Sequence, residues 1–213
     1  MENLEDSRKS YEKNILSRED LSSDPIIQFE RWYQEAEKAG IEEPNAMTLA
    51  TSNREGKPSA RIVLLKGFGP KGFVFYTNYA SQKGQDLVQN PQAAVVFWWK
   101  ELERQIRIDG EVVKTKLDTS IGYFHSRPRG SQISAWASPQ SQEIKEHYLP
   151  EKRKEVEERF KEVDPIPLPH HWGGFLLKPS TLEFWQGREN RYHDRYKFRL
   201  SDNGTWSLTR LAP

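Results

Sequence analysis

The segment EFWQGRENRYHDR, residues 183 to 195, sets three arginines and a histidine among three carboxylates, beside Trp185 and Gly187. In an extended chain Arg191, His193 and Arg195 alternate by two and share one face. The spacing therefore predicts a cationic wall next to an indole carried on a strand. Guanidinium and imidazole groups arranged this way suit anions and the polar edge of a planar heterocycle, and the indole suits its flat face. Surface ion pairing with Glu183, Glu189 and Asp194 accounts for the charges, though not for their one-sided spacing.

Two further stretches suit phosphate monoesters. TNYASQKG brings Thr77, Ser81 and Lys83 to the start of a predicted helix, where hydroxyls, free backbone N–H groups and an ammonium converge; an ordinary cap with a solvated lysine is the rival reading. GYFHSRPRGSQ places Tyr123 and Arg127 four apart on a predicted helix, hence on one face, with Ser131 at the start of the next helical piece. A helix packed by its tyrosine with a solvent-facing arginine is the rival there. ARIVLLK carries Arg61 and Lys66 at the two ends of an apolar strand. Their odd separation predicts opposite faces, and so either two anionic groups served or two edge charges reaching water. Together the pattern suits two phosphorylated aromatic molecules lying side by side, a cofactor and a substrate.

Other motifs do not carry chemistry. GFGPKG at 67 to 72 has the glycine spacing of a dinucleotide loop, but Pro70 and the strand GFVFYTN follow it where a helix is needed, so it predicts a hairpin turn. His170–His171 lacks further ligands at metal-binding spacing and reads as a surface pair. No phosphate loop of the GxxxxGK[ST] type and no nucleophile elbow occurs.

These residues need a frame. The chain has 213 residues, no cysteine and a formal net charge of +1. The length predicts one domain, residues 24–213, preceded by a charged arm or lid over residues 1–23. The near-neutral charge argues against a global field for nucleic acid or membrane. With no apolar leader and no spanning run, a soluble cytoplasmic protein is expected. DPIIQFERWYQEAEKAG predicts a helix capped by Asp24, with Ile26, Phe29, Tyr33 and Ala36 inward. AMTLAT, SARIVLLKGF and GFVFYTNY predict a strand meander, SQKGQDLVQNP a short helix capped by Ser81, and AAVVFWWKEL with RQIRIDGEVVKTK three strands, the last two meeting at an Asp109–Gly110 turn. LDTSIGYFHSRP predicts a helix ending near Arg127, SQISAWAS another helical piece, and residues 142 to 162 a charged helix interrupted at Pro150. WGGFLLKP, TLEFWQG, RYKFRL and TWSLTRL predict the remaining strands. The class is α+β, mainly β, with a barrel of short strands and peripheral helices.

Five motifs in order, ARIVLLK, FHSRPRGSQI, AWASPQSQ, EFWQGRENRYHDR and the terminal RLAP, closely resemble the pyridoxine (pyridoxamine) 5′-phosphate oxidase family from about residue 8 to the C-terminus. The resemblance implies an FMN-binding split β-barrel working as a homodimer, with FMN in clefts between subunits. It assigns FMN contacts to Arg61, Ile62, Val63, Leu64, Leu65, Lys66, Tyr76, Thr77, Gln82, Lys83, Gln105, Gln140, Ser141, Trp185 and Arg195. Substrate contacts fall to Lys66, Tyr123, Arg127, Ser131, Arg191 and His193, the last two catalytic, and a lid over the substrate to Arg8, Lys9, Ser10 and Tyr11. Three positions depart from the family pattern. Gln82 replaces a usual arginine beside the lysine, a charged contact worth about 1.5–3 kcal/mol; Tyr192 replaces an aliphatic residue, and Ser134 a common glycine. The implied reaction is oxidation of pyridoxine or pyridoxamine 5′-phosphate to pyridoxal 5′-phosphate, with dioxygen as acceptor, hydrogen peroxide as product, and ammonia released from the amine. A non-catalytic split-barrel store of FMN or pyridoxal phosphate is the alternative. A single-strand nucleic-acid barrel stacking bases on Trp98 and Trp99 is a more distant one.

Overall fold

The computed structural model describes residues 10–213, so Arg8 and Lys9 lie outside the described residues. The first predicted helix forms as α1 (Pro25–Lys38). The Asp24 carboxylate accepts the backbone N–H of Ile26 at 2.7 Å, and Pro25 sits where no N–H is required. Its buried face is Pro25, Gln28, Phe29, Trp32 and Ala36; Ile26 and Tyr33, expected inside, are half-buried. The stripe turns because Trp32 packs edge-on against Phe184 at 5.2 Å and carries the Arg104 guanidinium 4.3 Å from its ring centroid.

The chain continues through β1 (Ala46–Ser52), β2 (Pro58–Leu64), β3 (Gly67–Gly69), β4 (Gly72–Asn78), α2 (Gln82–Gln89), β5 (Gln92–Trp99) and β6 (Arg104–Lys114). Then come α3 (Leu117–Ser126), α4 (Arg129–Ala137), α5 (Tyr148–Arg159), β7 (Trp172–Gln186), β8 (Asp194–Leu200) and β9 (Trp206–Leu211). The strands form one sheet in the order β2-β1-β5-β6-β7-β4-β3, with β8 paired to β7 and β9 to β8. The class is α+β and mainly β, as the strand pattern predicts. GFGPKG is a hairpin: β3 and β4 pair antiparallel with Gly69 opposite Gly72. Gly72 is at φ 126°, and a Cβ there would meet the Leu177 carbonyl oxygen at 2.1 Å, so only glycine fits.

Three elements differ from expectation. Asp109–Gly110 makes no turn; β6 runs straight through it. The Asp109 carboxylate accepts the Thr181 hydroxyl at 2.8 Å and its carbonyl accepts the Ser180 hydroxyl at 3.1 Å, so contacts with β7 outweigh the local turn preference. The segments around Pro179 join as the single strand β7, which loses only the one donor that proline lacks. Pro150 lies in the first turn of α5, where a missing N–H costs nothing, so it helps to start that helix and does not interrupt it.

The chain makes two compact units. One takes the chain up to Leu49 with Ala94–Gly110 and Pro179–Pro213; the other takes Ala50–Ala93 and Glu111–Lys178. The first is built on Phe29, Trp32, Phe97, Trp99, Phe184 and Phe198, all buried, with Phe29 and Phe97 edge-on at 5.2 Å. Trp99 is 2% exposed, which removes it as a base-stacking platform. The second unit buries Phe73, Phe75, Phe175 and Leu177, and beside α3, α4 and α5 a cluster of Phe124, Ile133, Ala137, Val156, Phe160, Ile166 and Trp172. Each Val, Leu, Ile or Phe among them contributes about 1.5–3 kcal/mol by leaving water. Together they hold α3 and Trp172 in fixed positions.

Candidate functional site

The second unit contains a cleft of about 480 Å³. β2 supplies Arg61, Ile62, Val63 and Leu64, Lys66 stands two residues past its end, and β4 supplies Tyr76, Thr77 and Asn78. Lys83 comes from α2, Tyr123 from α3, Arg127 from its C-cap, Ser134 and Ala135 from α4, and Ser138, Gln140 and Trp172 complete the wall. Arg61 and Lys66 were predicted to face opposite ways. They line the same cleft because β2 ends at Leu64 and Leu65 turns into the core, 4% exposed. Four cations thus line the cleft, and no carboxylate among the described residues does.

At one end the two anchoring cations are Arg61 and Lys83. Ser81 caps α2 and accepts from the Gly84 N–H; this presents Lys83 in the first turn of the helix. Lys83 is 8% exposed and donates to Thr77 Oγ1 at 3.3 Å, Ser81 Oγ at 3.3 Å and Gln140 Oε1 at 3.1 Å. All three acceptors are neutral. Burial first, and the Arg61 charge second, push its pKa below the ordinary lysine value. Arg61 donates to Thr51 Oγ1 at 2.8 Å and to Ser59 Oγ; burial lowers its pKa and the Asp86 carboxylate opposes that shift. A pair of partly desolvated cations held by hydroxyls and an amide fits a phosphate dianion, which would restore the lost charge compensation. The side chain of Gln82 points elsewhere: its amide donates to Asp86 Oδ1 at 2.8 Å, and it does not line the cleft.

The other end is aromatic and cationic. Tyr76 stacks on Tyr123 with centroids 3.9 Å apart, and both lie nearly parallel to Trp172, at 5.6 and 6.1 Å. Gly174 permits this, since a Cβ there would fall 2.8 Å from the Tyr76 ring and 2.5 Å from Thr115 Oγ1. Arg127 does not share a helical face with Tyr123; α3 ends at Ser126 and Arg127 is extended at φ −77°, ψ 148°. It reaches the same place by stacking its guanidinium 4.6 Å from the Trp172 centroid. Its Nη1 is buried with no hydrogen-bond partner among the described residues, and burial lowers its pKa. An orphaned guanidinium N–H in a cleft without carboxylates is a ready donor to an anion. Ser131 is half-buried in α4 and Ser141 exposed at φ 73°, and neither lines the cleft.

The opening segment and Gln105 belong to the first unit. Trp185 pairs with Arg195 across β7 and β8, and its ring lies 4.6 Å from that of His193. Arg195 Nε donates to Glu183 Oε1 at 2.8 Å and its Nη1 to the Ala212 carbonyl at 3.0 Å, which ties the terminal RLAP to the strand. Arg191 does not share a strand face with His193 and Arg195. It ends a 3-10 turn, exposed at φ 63°, and β8 starts only at Asp194. The loop folds back because the Arg188 N–H donates to His193 Nδ1 at 3.1 Å and the Arg188 guanidinium to Asp194 Oδ2 at 2.8 Å. That bond fixes the tautomer: with Nδ1 accepting, a neutral His193 carries its proton on Nε2. Burial first, then the charges of Arg191 and Arg195, hold its pKa below the ordinary histidine value, with Asp194 opposing. Gln105 is half-buried on β6. Tyr11 lies edge-on to Trp98 at 6.4 Å, Trp185 at 5.8 Å and His193 at 5.9 Å, while Ser10 is exposed.

Trp172, Asn78, Ser134, Ala135 and Ser138 line the cleft without having been singled out from the sequence as site residues. Trp172 had one signal, the Gly173–Gly174 pair behind it, which marks a close approach to the strand.

The comparisons with known proteins agree with this geometry. Residues 33–163 match the family model described as Pyridoxamine 5′-phosphate oxidase, and residues 172–213 match the Pyridoxine 5′-phosphate oxidase C-terminal dimerisation region. A relative from Salinibacter ruber named Pyridoxine/pyridoxamine 5′-phosphate oxidase is 54% identical over 215 residues, covering 100% of both chains. One of the same name from Cupriavidus necator is 52% identical over 213 residues, again 100% of each. Among solved structures, PhzG from Burkholderia lata, in complex with tetrahydrophenazine-1-carboxylic acid, superposes with a TM-score of 0.87 at 28% identity over 94% of this chain and 98% of that one. A pyridoxamine 5′-phosphate oxidase-related, FMN-binding protein from Nostoc punctiforme gives 0.71 at 19% identity, over 91% and 100%. The fold is the split β-barrel of these proteins.

Proposed function

Starting from the fact that the chain belongs to the pyridoxamine 5′-phosphate oxidase family, we propose that it is an FMN-dependent oxidase converting pyridoxine 5′-phosphate or pyridoxamine 5′-phosphate to pyridoxal 5′-phosphate. Dioxygen accepts the electrons and leaves as hydrogen peroxide, and the amine substrate releases ammonia after hydrolysis of its imine. The observation that carries this reading is one cleft lined by Arg61, Lys66, Lys83 and Arg127, with no carboxylate among the described residues that line it. Two phosphate monoesters bring about −3 to −4 of charge at neutral pH, which four cations match.

FMN, when bound, supplies two-electron acceptance from the 4′ carbon. Arg61, Lys83, Thr77 and Gln140 hold its phosphate, and hydroxyl and amide groups fix the two cations in place. Arg127 grips the substrate phosphate through its free Nη1, with Lys66 as a second, more exposed charge, while Tyr123 and Trp172 wall that end. Ser131 is kept as a further substrate contact, and Gln105 and Ser141 as further FMN contacts, on the family resemblance alone. On the same resemblance, Trp185 and Arg195 are assigned to the flavin, and Arg191 and His193 to orienting the pyridine ring. His193 acts as a hydrogen-bond donor through Nε2, since its Nδ1 lone pair is already taken by the Arg188 N–H; in this state it has no free nitrogen with which to serve as a general base. The match of residues 172–213 to a dimerisation region supports a homodimer, and we place FMN in the clefts between its subunits. No helix among the described residues is long and apolar enough to cross a membrane, and a cytoplasmic location belongs to the same reading.

Anaerobic addition of pyridoxine 5′-phosphate to the yellow holoprotein tests the proposal. Bleaching of the flavin, and return of colour with hydrogen peroxide when air is admitted, is the expected result. Flavin that stays oxidised would leave the storage reading in its place.

A further inference from the structure

We propose that Thr51 and Asp86 are positioning residues for the cofactor phosphate, forming a directed relay from Asp86 through Thr51 to Arg61. The inference rests on the assignment of that phosphate to Arg61 and Lys83.

Asp86 and Thr51 are 2% and 3% exposed. The Thr51 hydroxyl lies 2.7 Å from Asp86 Oδ2 and 2.8 Å from Arg61 Nη1. A carboxylate only accepts and a guanidinium only donates, so the direction of both bonds is fixed. Thr51 gives its single proton to Asp86, and its lone pairs receive the Arg61 N–H. The second carboxylate oxygen is occupied by the Gln82 amide at 2.8 Å, which leaves Asp86 little freedom to swing toward Arg61.

The interposed hydroxyl has a consequence. Through Thr51 the carboxylate steadies the guanidinium at Nη1, while Nη2 donates to Ser59 Oγ. The relay also links elements: α2 carries both Asp86 and Lys83, β1 carries Thr51 and β2 carries Arg61. The two cations are therefore held at a set spacing by buried bonds before any ligand arrives, which reduces what binding must order.

Simple charge counting predicts the opposite of the relay. A carboxylate near a phosphate repels it, so on that basis removing Asp86 tightens binding. The relay requires that its removal weaken binding, because Arg61 loses the support of its Nη1 bond.

The test is titration of apoprotein with FMN and, separately, with riboflavin, which lacks the phosphate, followed by flavin fluorescence. Thr51→Val is expected to weaken FMN about tenfold, the scale of a misplaced charged hydrogen bond, and to leave riboflavin within about twofold. Thr51→Ser keeps the hydroxyl and restores FMN affinity. Asp86→Ala weakens FMN as well; should that variant not fold, the Thr51 pair alone decides. Unchanged or tighter FMN binding in Thr51→Val, or equal losses for FMN and riboflavin, overturns the relay. Arg61→Ala separates the two levels. If it weakens FMN while Thr51→Val does not, only the relay fails; if it leaves FMN unaffected, the phosphate is not held at Arg61 and the relay falls with that assignment.

Discussion

The Arg127 guanidinium lies 4.6 Å from the centroid of Trp172, with its Nη1 buried and bonded to no acceptor among the described residues. The indole supports the flat cation from one side, so the site keeps a desolvated, oriented donor that the protein itself does not satisfy. Arg127→Met is expected to raise KM for the phosphorylated substrate about 10- to 100-fold, from loss of one charged hydrogen bond worth about 1.5–3 kcal/mol. FMN content is expected to be unchanged. Arg127→Lys recovers only part of the loss, because an ammonium neither stacks nor forks. Steady-state kinetics with flavin absorbance on the same preparations checks both; a KM that stays at the wild-type value removes Arg127 from substrate binding.

Lys83 gives a prediction in pH. Burial and Arg61 hold its pKa below the usual lysine value of 10.5, so it loses its charge at lower pH than a surface lysine. Affinity for FMN is expected to decline as pH rises toward the ordinary lysine range, while the bound dianion itself, by favouring the charged form, delays that loss. Lys83→Arg keeps its charge throughout and flattens the alkaline decline. Dissociation constants measured from pH 7 upward for both proteins decide the matter. Parallel curves would mean that another group titrates.

His193 predicts behaviour on the acid side. Its pKa lies below the ordinary value of 6.5 because of burial and two neighbouring arginines, so the neutral Nε2–H form prevails at neutral pH. Protonation lets Nδ1 donate, which clashes with the Arg188 N–H that points at it. The depressed pKa also sets the sign for folding: the contribution to stability is complete above the unfolded value and is lost as pH falls through the folded one. Activity is expected to fall on acidification below pH 6.5 in the wild type. His193→Gln, which keeps a donor but cannot titrate, retains part of the activity and loses that acid limb. The substrate phosphate titrates near pH 6, so the difference between the two kcat/KM profiles is the informative quantity. Identical limbs would assign the titration to the substrate.

What the sequence reveals and what it hides follows from range. The caps at Asp24 and Ser81 lie within a few residues of the groups they satisfy, and both form as predicted. The cations of the cleft were recognisable by residue type, but their convergence was not. Lys66 joins Arg61 because the strand ends at Leu64, and Arg127 joins Tyr123 by leaving the helix. Trp172, which supports Arg127, stands 45 residues beyond it in the chain, so no local spacing announces the pair. The Asp109–Gly110 turn fails for the same reason, since its competitors Ser180 and Thr181 lie far along the chain. Arg191 is the instructive case: alternation by two predicts one face only if the backbone is extended, and the His193–Arg188 bond bends it.

The last prediction concerns Glu103, which is 2% exposed and sits at φ 53°, in the left-handed region. Its Oε2 accepts the backbone N–H groups of Glu12 at 2.9 Å and Lys13 at 3.1 Å, and its carbonyl accepts the Gly187 N–H at 2.8 Å. One residue thus holds the segment that carries Tyr11 and also the turn on which Tyr11 rests. Gly187 is part of the same fit, since a Cβ there would lie 2.8 Å from Tyr11 Cγ. Glu103→Ala removes two charge-assisted bonds and is expected to cost about 1.5–3 kcal/mol locally, speeding hydrogen exchange at Glu12 and Lys13 about 10- to 100-fold, while the main melting transition moves little. Glu103→Gln retains an acceptor oxygen and gives a smaller effect. Gly187→Ala displaces Tyr11 with Glu103 intact, so it is expected to raise exchange at the same amides by a different route. Amide exchange followed by mass spectrometry on the three variants reads this directly, and protection at Glu12 and Lys13 that survives Glu103→Ala would show that Glu103 does not hold the segment.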